Sequence, residues 1–293
     1  METKFDLLVD SCCDLRYDEL EDEGIRKVSM IVQMNDKEYL DDFQKTFKLN
    51  WFMEQIKEGA TPTTSQINIG TYLDVFKDYI NSEKPLLYVA FTSGLSGSYN
   101  NALSALKMIE DEHGKQLITI VDSKAACLGE GLLVEHVISF RREKKSLDEV
   151  LGWLDEMSPR LNSWVTVDDL DYLERGGRIS KRSAVIGGMI RIKPIICMNL
   201  AGQLINVGKV RGRNKSISRL VALTQETIEN PEEQKLIVAH AGDEVAGQKL
   251  RDELLNVLPV KGVDVRPMGP TIASHTGDGA LAVFSFGRKR QAN

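Results

Sequence analysis

Short apolar runs alternate with segments of helical spacing along the first half of the chain. FDLLVD (Phe5 to Asp10), LLYVAF (Leu86 to Phe91) and LITIVD (Leu117 to Asp122) each read as a strand and each end in a polar turn. The segments after them place apolar residues at helical intervals, most clearly GLLVEHVISFRREKK (Gly131 to Lys145). Continuous apolar strands separated by amphipathic helices predict a parallel sheet covered on both faces.

The pattern resets near SLDEVLGWLDEMSPRLN (Ser146 to Asn162). Beyond it lie SWVTVDD (Ser163 to Asp169), IKPIICMN (Ile192 to Asn199) and QLINVGKV (Gln203 to Val210), the last two joined by NLAGQ as a hairpin. A helix over Asn214 to Glu229, the strand KLIVAHAG, the helix DEVAGQKLRDELLNVL and the strand VDVRPMG follow. The second half thus mixes antiparallel and parallel pairing. A boundary is expected near residue 160, dividing an N-terminal α/β domain (1–160) from a C-terminal mixed-sheet α/β domain (161–293).

Composition narrows the function classes. The chain has 293 residues, 42% hydrophobic and 27% charged, ordinary for a globular protein with a substantial core. A net charge of -6 argues against a general nucleic-acid or anionic-membrane surface. No apolar run approaches the ~20 residues of a membrane span, so stable membrane insertion is not expected. METKFDLLVD, with aspartates among its apolar residues, does not read as a signal peptide, and a cytoplasmic location is expected. Cys12, Cys13, Cys127 and Cys197 form no CxxC pair or Cys/His spacing, so no metal is expected. They read as reduced thiols filling small apolar sites, although Cys12-Cys13 beside a loop leaves a reactive thiol open.

The chemistry lies in the turns, because ligands of open α/β sheets bind at the carboxyl ends of the strands. Those ends carry Asp10-Ser11, Thr92 to Ser98 and Asp122-Ser123, while TPTTSQ (Thr61 to Gln66) precedes a helical run, with Thr64 or Ser65 as its expected N-cap. Capping alone explains most such turns. TSGLSGSY is richer than a cap needs: Ser93, Ser96 and Gly97 belong to a stretch, Thr92 to Ser98, with four hydroxyls, two glycines and no charge before the helix that follows. Exposed amides, a helix N-terminus and hydroxyl donors make a small neutral anion cradle. There is no GxxxxGK[ST] nucleotide loop and no GxGxxG dinucleotide turn. Two later motifs add to the cradle. LDYLERGGRISKRSAVIGG (Leu170 to Gly188) brackets paired glycines with Arg175 and Arg178, and GPTIASHTGDGALAVFSFG (Gly269 to Gly287) sets His275 in a Ser/Thr/Gly loop.

VDSCCDL, TTSQ, GLSGSYNNA, VDSKAACLGEGLLV, LDYLERGGRIS, GKVRGRNKSI and GPTIASHTGDG occur in an order that resembles the DegV family across essentially the whole chain, about 3–288. Two spots depart from the family pattern: Ile67-Asn68 follow TSQ where Pro-Ser is usual, and Thr92-Ser93-Gly94 precede Leu95-Ser96 where the loop more often reads SSxLSGTY. The resemblance implies a two-domain α/β protein that encloses one long-chain fatty acid, of the palmitate or oleate kind. It implies no catalysis and no cofactor of its own. The partner it implies is a separate ATP-binding fatty acid kinase subunit, which receives the carboxyl group for acyl-phosphate formation on the way to phospholipid synthesis. Thr64 and Ser96 would hold the carboxylate with His275 nearby, Ser93 and Gly97 would belong to the same loop, and Arg211 would serve the kinase reaction or partner contact. Affinity would come from the tail, since roughly 14 buried methylenes offer about 11 kcal/mol before ordering costs. AVIGGMI (Ala184 to Ile190) and ALAVFSFG (Ala280 to Gly287), read as apolar helices, are expected to line the tunnel.

Two alternatives stand beside this reading. One is an acyl hydrolase or transferase with Ser96 as nucleophile and His275 as base, although GLSGS is not a GxSxG elbow. The other is a single-chain ATP-using kinase, for which the nucleotide motif is missing.

Overall fold

The computed structural model describes residues 3–180 and 192–292. The chain begins β1 (Asp6–Asp10), α1 (Tyr17–Asp22), β2 (Arg26–Val28), β3 (Ile31–Met34), β4 (Lys37–Leu40), α2 (Leu49–Lys57), β5 (Thr63–Ser65) and α3 (Ile69–Phe76). It continues β6 (Leu86–Ala90), α4 (Ser98–His113), β7 (Ile118–Asp122), α5 (Leu128–Arg142), α6 (Leu147–Met157), β8 (Leu161–Thr166) and α7 (Asp171–Arg175). After the undescribed stretch come β9 (Ile192–Met198), β10 (Leu204–Arg211), α8 (Arg213–Thr227), β11 (Lys235–His240), α9 (Glu244–Val257), β12 (Gly262–Pro267), α10 (Pro270–Thr276) and β13 (Leu281–Phe286).

The first sheet is parallel, in the order β2-β1-β6-β7. All five residues of β6 are buried because both faces are covered, which is why it reads as an unbroken apolar run. Tyr72 and Phe76 of α3 and Ala102, Ala105 and Ile109 of α4 pack on one face with Leu8, Leu86 and Tyr88. On the other face Leu7, Val9, Leu87 and Val89 meet Leu128, Leu132 and Leu133 of α5.

The second sheet, in the order β10-β9-β8-β13-β11-β12, begins at Leu161 and is antiparallel except for the β11–β12 pair. Its outer face packs on α8 and α9 through Leu220, Val238, Leu250, Leu281 and Val283. Its inner face, with Ile237, Ala239, Ala282 and Phe284, joins the same core as α5. Helix α5 is therefore sandwiched between the sheets, and two glycines make the fit. A Cβ on Gly129 would stand 2.8 Å from the Phe284 ring, and one on Gly131 would stand 2.5 Å from the Cys13 carbonyl oxygen.

A third, small antiparallel sheet, β4-β3-β5, lies beside α10. Asp41, buried after β4, accepts hydrogen bonds from Thr271 N (3.3 Å) and Thr271 Oγ1 (2.6 Å), tying the small sheet to that helix. Helix α10 thus belongs to the second half of the sequence but packs on elements of the first. Among the described residues no helix is long and apolar enough to cross a membrane.

Two expectations need correction. ALAVFSFG is not a helix: β13 occupies Leu281–Phe286 in the middle of the second sheet. Thr64 and Ser65 do not cap α3, because Thr63–Ser65 form β5 and the cap is Asn68, which accepts from Thr71 N at 2.9 Å. The other segment expected to line the tunnel, Ala184 to Ile190, lies outside the described residues.

Candidate functional site

Carboxylates at two strand ends position the hydroxyl-rich loop. Asp10, fully buried at the end of β1, accepts from Phe91 N (2.8 Å), Tyr88 Oη (2.8 Å) and Cys12 N (3.0 Å). At the end of β7, Asp122 accepts from Ser93 N at 3.2 Å and pairs with Lys124 at 2.6 Å. The loop after the middle strand is thus held from both neighbouring strands. Its hydroxyls then go separate ways. Thr92 Oγ1 donates to the Gly202 carbonyl (3.0 Å) in the β9–β10 turn, and Ser93 Oγ accepts from Lys124 Nζ (2.9 Å). Ser98 Oγ accepts from Ile67 N at 3.1 Å, fixing the segment after β5. Ser96 Oγ accepts from Ser98 N at 3.2 Å and stands against a cavity.

That cavity lies between the inner face of the second sheet, the turns of the first sheet and α10. About 800 Å³ of atom-free space, open solvent at the mouth included, lies against these walls. Phe91, Leu95, Val165, Met198, Ile272, Ala282 and Phe284 make most of its wall apolar. The polar wall groups include Thr64, Ser65, Gln66, Ser96, Arg178 and His275, drawn from β5, the turn after β6, the segment after α7, and α10.

Thr64 Oγ1 and His275 Nε2 are 2.7 Å apart, across 211 positions of sequence. Gly176 makes this possible, since a Cβ there would lie 2.3 Å from His275 Nδ1. Burial first, and then the Arg178 charge, push the imidazole down to about 4. At neutral pH the ring is therefore uncharged. With the proton on Nε2, His275 donates to Thr64, whose own hydroxyl proton is then free to point at a bound acceptor.

Arg178 changes the picture drawn from the sequence. Its Nε donates to the Leu95 carbonyl at 3.1 Å and its Nη1 to the Gly176 carbonyl, leaving Nη2 free of any bond to a described residue. Leu95 precedes Ser96, so the guanidinium braces the loop and also charges the cavity wall. The loop expected from sequence to be a neutral anion cradle has a cation beside it. Arg178 appeared there only as a flank of the paired glycines, because no local pattern tells where its side chain goes.

The remaining sequence-derived residues fall in different places. Ser93 is tied to Asp122 and Lys124 rather than to the cavity wall. Gly97 lies under the Gln66 side chain, whose Oε1 would be 2.1 Å from a Cβ at this position. Arg211 is exposed at the end of β10. Its neighbour Arg213 bonds Asp168 and the Gly279 carbonyl, which places this turn beside the loop leaving the His275 helix. Ser96 pairs with Ser98 and His275 with Thr64, so no described hydrogen bond joins the serine and histidine of the hydrolase alternative. Cys12, Cys13 and Cys127 are buried, and burial raises their thiols well above the ordinary value, so none has thiolate character.

The His275 assignment has a direct check. In lipid-free protein its ring, followed by NMR and assigned with His275→Gln, is expected to titrate near pH 4 rather than 6.5. Between those values the unfolded chain holds the extra proton, so this residue removes stability as pH falls from 6.5 to about 4. A midpoint at or above 6.5 would overturn the assignment of a buried, uncharged imidazole beside Arg178.

Residues 4–288 match the family model described as "Uncharacterised protein, DegV family". A DegV domain-containing protein of Clostridium perfringens is 37% identical over 288 residues, 98% of this chain and 99% of that one. The fold is similar to that of a fatty-acid-binding DegV family protein from Thermus thermophilus, with TM-score 0.86, 28% identity, and 97% and 100% of the two chains covered. It is also similar to DegV, a fatty acid binding protein from Bacillus subtilis, with TM-score 0.81, 26% identity, and 98% and 100% covered. This chain belongs to the DegV family.

Proposed function

We propose that the protein is a non-enzymatic carrier of one long-chain fatty acid, working in the cytoplasm and presenting the carboxylate to a separate kinase subunit. The observation that carries this reading is the segregation of the cavity. Thr64, Ser65, Gln66, Ser96, His275 and Arg178 are among its hydrogen-bonding and charged groups, while the face offered by β8, β9 and β13 is apolar apart from Ser163. A ligand suited to it has one anionic end and a long apolar body.

In this reading Thr64 and Ser96 donate hydroxyl protons to the carboxylate, His275 orients Thr64, and Arg178 supplies the balancing charge. Ser93 and Gly97 shape the loop from behind. Two neutral hydroxyls let the group leave once it is converted to acyl phosphate, and an arginine already engaged with two carbonyls holds it less firmly than a free bidentate clamp. Arg211, exposed beside the loop that follows His275, is positioned for contact with the kinase subunit or its phosphates. The DegV relatives from Thermus thermophilus and Bacillus subtilis bind fatty acids, which supports the same ligand class here.

The test is mass spectrometry of purified protein, native and then denatured and solvent-extracted. One equivalent of fatty acid released on denaturation is expected, with Thr64→Ala/Ser96→Ala retaining much less. An empty protein that also fails to take up palmitate or oleate would overturn the carrier reading. Full retention by the double variant would remove the proposed head-group site.

A further inference from the structure

One wall position does not suit a plain hydrocarbon. Leu204 of β10 faces Met198 of β9, and Ser163 of β8 faces Phe284 of β13. Val165 lies opposite Ile196, so stepping two residues along each strand brings Ser163 opposite Met198. The four side chains form a lateral row across four strands, and all four line the cavity. Three are large and apolar; the fourth is a serine.

Ser163 is only 3% exposed, and its Oγ has no hydrogen-bond partner among the described residues. Thr166 and Ser285 are also unpartnered. They stand at the alternate positions of β8 and β13, on the face of Leu281 and Val283 that packs against helices. Only Ser163 of these three faces open space. A buried hydroxyl without a partner is costly, and an alanine or valine would have avoided the cost at this strand position. Ser163 precedes Val165 on β8 and stands level with the end of the β9–β10 hairpin.

Resting on the fatty-acid reading, we propose that this cavity is built for a hydroxy fatty acid, whose chain hydroxyl pairs with Ser163 Oγ. A serine hydroxyl both donates and accepts, as does a secondary alcohol, so the two satisfy each other in an otherwise apolar wall. The row of Leu204, Met198 and Phe284 around the serine then excludes water from the pair. An unsubstituted chain occupies the same space but leaves the serine unpaired, which favours the hydroxylated ligand by about tenfold.

The experiment compares stearic acid with a positional series of hydroxystearic acids by competition against a fluorescent fatty acid, on delipidated wild type, Ser163→Ala and Ser163→Thr. At least one positional isomer is expected to bind wild type about tenfold more tightly than stearate. Ser163→Ala should abolish that advantage, and Ser163→Thr, which keeps the hydroxyl, should retain it. If stearate binds but no isomer exceeds it, or if the advantage survives in Ser163→Ala, the hydroxyl-recognition proposal is wrong and the carrier reading stands. If neither stearate nor any isomer binds, both fall.

Discussion

Arg178→Gln is expected to weaken palmitate binding by 10- to 100-fold while leaving hexadecanol, the uncharged analogue, within about twofold of wild type. The guanidinium is the cationic wall group whose field reaches His275, and a hydrogen bond to a charged group is worth about 1.5–3 kcal/mol. Glutamine keeps a donor for the Leu95 carbonyl at shorter reach but removes the charge. The two ligands separate the possible causes. If Arg178 acts only as a brace through its bonds to Leu95 and Gly176, the loop shifts and both ligands weaken together. If it balances the carboxylate, only palmitate weakens. Equal binding of palmitate by variant and wild type would remove Arg178 from the head-group site. Loss of the nearby cation should also let the His275 pKa rise from about 4, an effect NMR reads independently of any lipid.

How much of this site was visible in sequence depends on the range of each interaction. The strand-end turns were legible because position at the carboxyl end of a parallel strand is a local property, and Asp10, Thr92 to Ser98 and Asp122 all sit where alternation placed them. The carboxylate-holding roles of Thr64, Ser96 and His275 came from motif resemblance, and the structure shows what the spacing could not: Thr64 bonds the histidine, whereas Ser96 does not. Arg178 was missed as a wall group because its partner carbonyl at Leu95 lies 83 residues away. The error over ALAVFSFG has another cause. All six residues of β13 are buried, with helices on one face and the cavity and α5 on the other, so neither a period of two nor one of 3.6 survives. The same loss of period hides Ser163, a polar residue facing inward from a strand that reads simply as mixed. The short elements β2, β4 and α1 carry too few apolar residues to announce themselves.

The joint between the two sheets supplies the largest expected stability effect, through Gly94→Ala. The β9–β10 turn rests directly on the hydroxyl-rich loop. A Cβ on Gly94 would stand 2.3 Å from the Gly202 carbonyl oxygen, 2.6 Å from its carbon and 2.8 Å from the Ala201 oxygen. These are backbone atoms, so no rotamer change relieves the overlap. Gly202 has little freedom to move aside, because it holds φ +74° and its carbonyl accepts from Thr92 Oγ1 at 3.0 Å. Either the loop retreats and carries Ser96 with it, or the hairpin tip lifts and carries Met198 and Leu204 out of the cavity wall. Both routes damage packing and site together. The expected cost is about 3 kcal/mol, a fall in melting temperature on the order of 10 °C, with reduced retention of bound lipid. Gly152→Ala is the control: no atom lies within 4 Å of that Cβ, the position is an exposed one inside α6, and alanine there should add up to about 1 kcal/mol. Thermal unfolding of the two variants, with and without palmitate, decides the matter. If Gly94→Ala melts with Gly152→Ala, the hairpin tip yields freely and the turn is no fixed wall of the cavity. If Gly94→Ala melts low and palmitate restores little of the loss, the glycine contact both joins the sheets and shapes the site.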